Sequence, residues 1–357
     1  MSGRWPPVGH AFRATLACVI GRERAIERGL KAATSLAAEG HALEAIVELS
    51  RLNRSKRDSR IERRLVELRH AASSELPASS GRPEWPPTLV DAFPDEQDLP
   101  VIEADHLSGE LVGGTITNHG CLRVNHLLDP ATVGRIIEQI DRAFDARERL
   151  ANGADPADVA PWYVPFEAGR EEADGFSSPF FIRVIDAPGT MWEILEQFTQ
   201  KGVISAVAEY FGERPTMIAN KWVLRRAPRG ADSTDFHQDG AFLGEGIRTV
   251  NCWITLSDCG PGTGRPALEF LPRRFEDIIP TGVGAKFNWT LAESTVMQAA
   301  PDVSVSRPLI NAGDALFFDE RLPHRTTNGT ELGTRYAIES WFVSPSSSLP
   351  RHEPIVL

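Results

Sequence analysis

Cysteine is scarce in this chain of 357 residues, and long hydrophobic runs are missing. Its four cysteines, Cys18, Cys121, Cys252 and Cys259, contain no C-x-x-C pair and are too few to predict a disulfide framework. No apolar run reaches the roughly 18 residues that a membrane-spanning helix requires. We therefore expect a reducing, cytoplasmic location and no membrane partner.

Positive charge is also in deficit. The chain has 38 Lys and Arg residues against 49 Asp and Glu residues, which gives a net charge of -11. This balance argues against bulk electrostatic binding to nucleic acid or to an anionic membrane. Five arginines are either solvated surface charges or contacts for a phosphate-bearing carrier such as a coenzyme A thioester: Arg225, Arg226, Arg229, Arg273 and Arg274.

Composition divides the chain into four segments. Residues 1–21 are expected to be a disordered leader, and residues 22–74 predict a small all-helical unit, either a hairpin or three helices. Six prolines in residues 75–100 predict a linker, which leaves residues 101–357 as the main domain. Part of the helical unit weakly resembles a tetratricopeptide repeat, and this unit is a candidate contact for a protein partner.

Beyond the linker, the sequence first combines strand and helix signals and then, from Thr216, shows mainly strand signals. Asp129 followed by Pro130 predicts an N-cap and a first helical residue after a short strand. Residues 151–179 indicate a long loop, either a lid or a disordered segment. From Thr216 onward, short apolar stretches alternate with Gly and Pro turns. This pattern predicts a mainly β fold, a double-stranded β-helix (jelly roll, cupin-like) barrel with flanking helices.

A histidine and a carboxylate lie two residues apart in the segment Thr234–Gly240. Because side chains alternate along extended backbone, His237 and Asp239 are expected to point to the same face. His324 follows an apolar run and is the candidate for a second imidazole ligand. Two imidazoles and one carboxylate form a facial site that leaves positions open on a non-haem Fe(II). The same ligands also bind zinc or manganese, so these residues alone leave the metal open.

Arg335 follows these three ligands near the start of another predicted strand. The ordered set His237-x-Asp239, His324 and Arg335 resembles the phytanoyl-CoA dioxygenase (PhyH) family of Fe(II)- and 2-oxoglutarate-dependent oxygenases, over roughly the last two thirds of the chain. The resemblance implies Fe(II) as the metal, and 2-oxoglutarate and dioxygen (O2) as cosubstrates. It also implies a small-molecule substrate, either a metabolite or an acyl or natural-product intermediate. Hydroxylation of a C–H bond with release of succinate and CO2 is the default outcome that the resemblance implies, and other oxidations of a C–H bond use the same metal triad.

The resemblance further implies roles for residues around the cosubstrate. Arg335 is expected to pair with the distal carboxylate of 2-oxoglutarate, and Thr326 and Trp253 to line its pocket. Candidate contacts on the substrate side alternate along the preceding strand or flank the metal ligands, although core packing explains the apolar ones equally well. They are Asn220, Trp222, Phe236, Gln238 and Phe242.

Two other functions remain open at this point. A cupin-like metal-dependent isomerase or lyase would use His237, Asp239 and His324 without 2-oxoglutarate, and it would not need Arg335. A catalytically silent binding protein would recruit a partner through the helical unit. Silent relatives usually lose a metal ligand, whereas this sequence keeps all three candidates.

Overall fold

The chain folds into two compact units, Met1–Leu76 and Pro77–Leu357. The structure, a computed structural model, describes residues 9–76, 85–168, 179–227, 234–244, 246–327, 334–347 and 353–357. Arg229 and residues 169–178 of the predicted lid lie outside the described residues. Within the described ranges, no helix combines the length and the apolar composition needed to cross a bilayer.

The first unit consists of three helices, α1 (Gly9–Ala38), α2 (Ala42–Ser55) and α3 (Ser59–Ala71). After α1, Gly40 adopts a φ of 83°, a left-handed conformation that glycine tolerates at the end of a helix. Asp58 caps α3, because its carboxylate accepts the backbone N–H of Arg60. Apolar side chains of all three helices form the buried core of this unit: Ile26, Ala33, Ala45, Ile46, Leu49, Ile61 and Leu65.

Two sequence boundaries differ from the structure. Residues 9–21, predicted as part of a disordered leader, belong to α1, and they contain no proline that would stop a helix. In the predicted linker, Trp85 packs with ring centroids 4.9 Å from Tyr210 and 5.8 Å from Phe211. The described part of that proline-rich segment is therefore packed within the second unit.

The second unit alternates helices and strands in its first half and has mostly strands in its second half. Its described helices are α4 (Gly109–His119), α5 (Pro130–Ala151), α6 (Pro156–Val159), α7 (Pro188–Gln200), α8 (Val203–Phe211), α9 (Gly240–Leu243) and α10 (Glu293–Ala299). Its described strands are β1 (Val101–Glu103), β2 (Cys121–Asn125), β3 (Phe181–Arg183), β4 (Thr216–Ile218), β5 (Val223–Ala227), β6 (Thr249–Thr255), β7 (Leu268–Phe270), β8 (Ala315–Phe318), β9 (His324–Thr326), β10 (Arg335–Val343) and β11 (Pro354–Val356).

Nine of the described strands form the main sheet. Their order is β1-β2-β8-β6-β10-β4-β11, and β5 joins β10 to β3. The β1–β2 pair is parallel and the other pairs are antiparallel. The central strand β10 pairs with β6 along one edge and with β5 and then β4 along the other. Side chains from β5, β6, β8 and β10 therefore share one face of the sheet.

A second, smaller sheet faces the main one. It consists of β7 and β9 and is extended by isolated bridges, among them Phe236 with Leu291 and His237 with His324. One core cluster contains Trp253 and Phe318 of the main sheet and Phe270 of the second sheet, so apolar side chains fill the space between the two layers. The metal-motif segment belongs to the second layer.

The prediction of a mainly β chain is not confirmed, because helix accounts for 43% of the residues and strand for 18%. Strand signals dominate the sequence only after Thr216, whereas the first unit and the first half of the second unit are largely helical. Two facing sheets accompanied by helices are present. The predicted N-cap at Asp129 is also present, since its carboxylate accepts the Thr132 N–H at 2.9 Å.

Candidate metal and cosubstrate site

Backbone pairing brings two distant histidines together. The N–H of His237 donates to the carbonyl of His324 at 2.9 Å, and the N–H of His324 donates to the carbonyl of His237 at the same distance. In such an antiparallel pair, both side chains lie on the same face of the sheet. The two imidazole rings are accordingly 4.3 Å apart between centroids. Asp239, two residues after His237, completes the group.

The three side chains converge through their outer atoms. Oδ1 of Asp239 lies 3.8 Å from Nε2 of His237 and 3.6 Å from Nε2 of His324. All three potential ligand atoms lie within 4.8 Å of one another. This spacing allows two nitrogens and one oxygen to bind one metal ion from one side, which leaves its other side open.

Both imidazoles are held in the protonation state that a metal ligand requires. Nδ1 of His237 lies 3.2 Å from the carbonyl oxygen of Asp235, and Nδ1 of His324 lies 3.0 Å from that of Leu322. A carbonyl oxygen only accepts hydrogen bonds, so each Nδ1 carries the proton and each Nε2 keeps its lone pair. The sequence-adjacent carbonyls thus orient both rings.

Burial determines the charges of the three side chains. It lowers the pKa of His237 well below its ordinary value, with a further contribution from His324, and it also lowers the pKa of His324. Burial, followed by the charge of Glu339, raises the pKa of Asp239 well above its ordinary value. Oδ1 of Asp239 is buried and has no hydrogen-bond partner in the described parts of the chain. Two neutral imidazoles beside an unpartnered carboxylate oxygen fit a divalent cation.

Arg335 is a buried cation at the start of β10, with only 3% of its surface exposed. Its Nη1 donates to the carbonyl of Pro266 at 3.4 Å, and its Nε has no partner. Within the described ranges, no carboxylate forms an ion pair with it, and burial lowers its pKa. The guanidinium lies 5.9 Å from the ring of Trp253. A buried guanidinium with no ion-pair partner in the described part of the chain is suited to bind an anion such as a carboxylate.

A cavity of about 190 Å³ adjoins the three candidate ligands. Two of the three predicted cosubstrate contacts, Trp253 and Thr326, line it, whereas Arg335 is not among its lining residues. Thr326 follows His324 by two residues in β9, so the two side chains share a face. Asn220 and Phe242, two of the predicted substrate contacts, line it as well.

Three other predicted substrate contacts lie outside the cavity. Phe236 and Gln238 alternate with the metal ligands along the chain, so they point to the opposite face and are fully buried. Phe236 belongs to a separate apolar cluster. Trp222 is also fully buried, because a turn closed by the Lys221 N–H and the Ile218 carbonyl separates it from the strand and resets the expected alternation.

Several cavity residues were missed by the sequence reasoning. Glu339 and Trp341 could have been found by counting along β10 in steps of two from Arg335. Trp289 gives no such signal, because it lies in irregular backbone between β7 and α10. The residues that line the cavity without having been predicted are Phe181, Lys221, Val223, Thr234, Asn251, Leu268, Trp289, Phe318, Glu339 and Trp341, and Arg225, considered only for a phosphate-bearing carrier, lines it as well.

The arginines considered for a phosphate-bearing carrier have partners within the chain. Each of the four that the structure describes forms an ion pair with a carboxylate. The pairs are Arg225 with Glu339, Arg226 with Asp141, Arg273 with Asp302, and Arg274 with Asp319. Internal pairing therefore accounts for these charges without a carrier.

Gln238 joins three segments behind the metal ligands. Its Nε2 donates to the carbonyl of Arg321 at 2.6 Å and to that of Asp277 at 3.3 Å, and its Oε1 accepts the N–H of Ile279 at 2.7 Å. Because Arg321 shortly precedes His324, this amide fixes the distance between the two ligand-bearing segments. Gln238 is therefore a positioning residue and does not contact the cavity.

We expect the Gln238→Leu variant to bind Mn(II) about tenfold more weakly than wild type and to have a free energy of unfolding about 2–4 kcal/mol lower. The reason is that buried backbone groups lose their hydrogen-bond partners in this variant. Calorimetric Mn(II) titration and urea denaturation measure the two effects. The exposed Gln97→Leu variant is the control and should leave both unchanged. Unaltered Mn(II) affinity in Gln238→Leu would remove the positioning role.

Glu320 lies in the connection from β8 to β9 and is 3% exposed. Its carboxylate accepts the backbone N–H and the hydroxyl of Thr249, each at 3.0 Å. Burial, followed by the charge of Asp319, raises the pKa of Glu320 to about 7. The folded protein therefore holds a proton on Glu320 at a pH where the unfolded chain has already released it.

Stability contributed by this proton is complete below the ordinary glutamate pKa of 4.5 and is lost as the pH rises through about 7. Glutamine cannot lose a proton, so the free energy of unfolding of Glu320→Gln should rise relative to that of wild type as the pH increases. We expect this relative gain to amount to about 2 kcal/mol from about pH 5.5 to about pH 8.5. Urea denaturation of the metal-free proteins at both pH values measures this gain. The control variant Glu276→Gln, which changes an exposed glutamate, should show no such gain. If Glu320→Gln and wild type differed in free energy of unfolding by the same amount at both pH values, the raised pKa would be contradicted.

The site fits one divalent metal ion, with a buried cation nearby that suits an anionic cosubstrate. The family model of phytanoyl-CoA dioxygenase (PhyH) matches residues 116–335, which include all three candidate ligands and Arg335. Because this match covers more than half of the chain, the protein belongs to the phytanoyl-CoA dioxygenase family. Its cofactor is Fe(II), and its cosubstrates are 2-oxoglutarate and O2.

Solved structures with some likeness to the chain include two enzymes from nogalamycin biosynthesis. The non-haem α-ketoglutarate-dependent carbocyclase SnoK from nogalamycin biosynthesis is 16% identical, with a TM-score of 0.46 over 69% of this chain and 87% of that chain. EctD from S. alaskensis in its apoform is 15% identical, with a TM-score of 0.47 over 68% and 79%. The epimerase SnoN, in complex with Fe3+, α-ketoglutarate and nogalamycin RO, is 17% identical, with a TM-score of 0.44 over 66% and 83%.

The family assignment depends on the family model. No curated protein sequence matches the chain.

Proposed function

We propose that the protein is a 2-oxoglutarate-dependent dioxygenase that hydroxylates a C–H bond of a small molecule and releases succinate and CO2. The observation that supports this function is the convergence of His237, Asp239 and His324 on one point beside a cavity that also contains Trp253. A buried Arg335 without a carboxylate partner among the described residues adds the binding group for an acidic cosubstrate.

In this proposal His237 and His324 bind Fe(II) through Nε2, and Asp239 binds it through its carboxylate. Iron supplies the redox chemistry by which dioxygen is reduced and a C–H bond is oxidised. The protein holds both imidazoles neutral and oriented through the Asp235 and Leu322 carbonyls. Loss of either carbonyl contact would weaken metal binding without removing a ligand.

Arg335 pairs with the distal carboxylate of 2-oxoglutarate in this proposal. A guanidinium can form two parallel hydrogen bonds with a carboxylate, and it needs such a partner when it is buried. The Trp253 ring forms an apolar wall, and Thr326 offers a hydroxyl on the same face as His324. Leu268 and Phe318 line the cavity nearby and help to exclude water from it.

The proposed outcome is hydroxylation because the metal carboxylate is present. Related halogenases lack this carboxylate so that halide can bind, whereas Asp239 lies between the two histidines here. A cupin-like isomerase or lyase without 2-oxoglutarate would leave the buried charge of Arg335 without a use. A catalytically silent protein would not need the two oriented imidazoles.

An anaerobic titration with Fe(II) and then 2-oxoglutarate tests the proposed function. We expect the weak visible charge-transfer band of the chelate to appear in the wild-type protein and to be absent from His237→Ala. The control variant His106→Ala, which removes an exposed histidine of the same unit, should keep the band. A wild-type protein that binds metal but shows no band at any 2-oxoglutarate concentration would overturn the proposal. With the band established, succinate release provides the screen for substrates.

A further inference from the structure

Four aromatic rings form a continuous path from the metal ligands to the protein surface. The rings of Trp341 and Phe242 are 5.6 Å apart between centroids and stacked, and Trp289 meets Phe242 edge-on at 5.5 Å. Phe287 then stacks on Trp289, with centroids 5.5 Å apart and ring planes 4° from parallel. These four residues are called the aromatic path below. The path borders the metal ligands, since the rings of His237 and Trp289 are 5.3 Å apart.

The outer end of the aromatic path is open to solvent. Trp341, Phe242 and Trp289 line the cavity, whereas Phe287 does not line it and is 44% exposed. Lys286 also lies over the Phe287 ring, with Nζ 5.7 Å from its centroid, but leaves that fraction of the residue uncovered. A ligand that covers exposed apolar surface gains binding free energy. The aromatic path therefore offers apolar surface both inside the cavity and beyond it.

The loop that carries Phe287 is fixed to the metal-motif segment. The carboxylate of Asp235 accepts the backbone N–H of Lys286 and, at 3.4 Å, the hydroxyl of Thr290. The oxygen of that hydroxyl in turn accepts the N–H of Phe287 at 3.0 Å. Asp235 precedes His237 by two residues. These hydrogen bonds therefore hold the outer end of the aromatic path at a defined position relative to the metal ligands.

The cavity alone is small for the molecules that it has to hold. Its volume is about 190 Å³, whereas ligand pockets in proteins commonly measure about 300–1,000 Å³. In the proposed function, 2-oxoglutarate also occupies part of this space. A substrate of more than a few carbon atoms would then extend beyond the cavity. Along the aromatic path, it would meet the exposed ring of Phe287.

We propose that Phe287, together with Trp289, forms an outer substrate subsite, which binds the distal part of an elongated, ring-containing apolar substrate. The reacting end of that substrate lies in the cavity beside the metal, and its far end packs on the Phe287 ring. An aromatic pair gains free energy beyond that of area burial, which favours a ring at this position. This inference rests on the proposed function, because the metal and 2-oxoglutarate define which end of the substrate reacts.

Two probes that differ by one ring test the inference. They are phenol and 4-phenylphenol, titrated calorimetrically into protein loaded with Mn(II) and saturating 2-oxoglutarate. We expect wild type to bind 4-phenylphenol at least about tenfold more tightly than phenol, because the second ring reaches Phe287. Phe287→Ala should reduce this preference to about threefold or less and leave the affinity for phenol unchanged. Phe287→Tyr, which keeps the aromatic ring, should keep the preference.

Phe180→Ala is a matched control, since Phe180 is another exposed phenylalanine, with 38% of its surface accessible, that does not line the cavity. It should keep the wild-type preference. Equal binding of the two probes to wild type, or binding of neither, would overturn the inference. So would a preference that survives Phe287→Ala, or a loss of affinity in this variant that is as large for phenol as for 4-phenylphenol.

The preceding titration with Mn(II) and 2-oxoglutarate tests the proposed function separately. If 2-oxoglutarate does not bind, the proposed function fails, and the two probes are then titrated into the metal-free protein. A preference for 4-phenylphenol that Phe287→Ala abolishes there would support the outer subsite by itself. A preference that this variant leaves unchanged would overturn it.

Discussion

An Asp239→Asn variant is expected to lose more than about 100-fold in Mn(II) affinity while its metal-free form becomes more stable by about 1–3 kcal/mol. The carboxylate has an unpartnered buried oxygen, and burial raises its pKa, so the metal-free fold is destabilised by this charge. Asparagine removes the charge and keeps a similar shape. Urea denaturation of chelator-treated protein measures the gain, and calorimetric titration measures the loss.

Asp235→Asn is the matched control for this prediction. Asp235 precedes His237 by two residues, but its carboxylate accepts hydrogen bonds from the backbone N–H of Lys286 and the hydroxyl of Thr290 instead of facing the metal site. We expect no gain in metal-free stability from this control. If Asp239→Asn bound Mn(II) within a few fold of wild type, Asp239 would not be a metal ligand.

An Arg335→Ala variant is expected to bind 2-oxoglutarate about 100-fold or more weakly, with unchanged Mn(II) affinity. The cosubstrate would lose its charged partner in a buried site, where one carboxylate would remain uncompensated. Titration of 2-oxoglutarate into the Mn(II)-loaded protein measures the loss. The 2-oxoglutarate affinity of Arg335→Lys should lie between those of wild type and Arg335→Ala, because an ammonium keeps the charge but not the paired hydrogen bonds.

Arg226→Ala is the control for this experiment, since Arg226 pairs with Asp141 and does not line the cavity. It should bind 2-oxoglutarate as wild type does. A loss below tenfold in Arg335→Ala would show that another residue binds the distal carboxylate.

The sequence was most informative about the metal ligands, because the two-residue alternation of side chains along a strand determines which of them share a face. His237 and Asp239 are two residues apart, so extended backbone alone places them on one face, and the structure brings them together with His324. The same period places Phe236 and Gln238 on the other face, where they are buried and do not line the cavity. Trp222 does not line the cavity either, because a turn interrupts the expected alternation.

Other parts of the site follow only from the three-dimensional arrangement. Lys221 and Trp289 belong to irregular segments, and neither has a spacing that relates it to the metal motif. The share of helix was underestimated because the strand-rich half of the sequence carried the recognisable motifs. A protein partner for the helical unit stays a prediction, since no contact of the described residues bears on it.

The mutual backbone hydrogen bonds between His237 and His324 show that the metal site depends on the register in which the two segments pair. Side chains alternate along a strand, so a slip by one residue would turn His324 away and present Pro323 or Arg325 to the cavity. All the ligands would still be present in the sequence, yet the site would be gone. In the connection that carries His324, a single inserted or deleted residue should therefore be far more damaging than most substitutions.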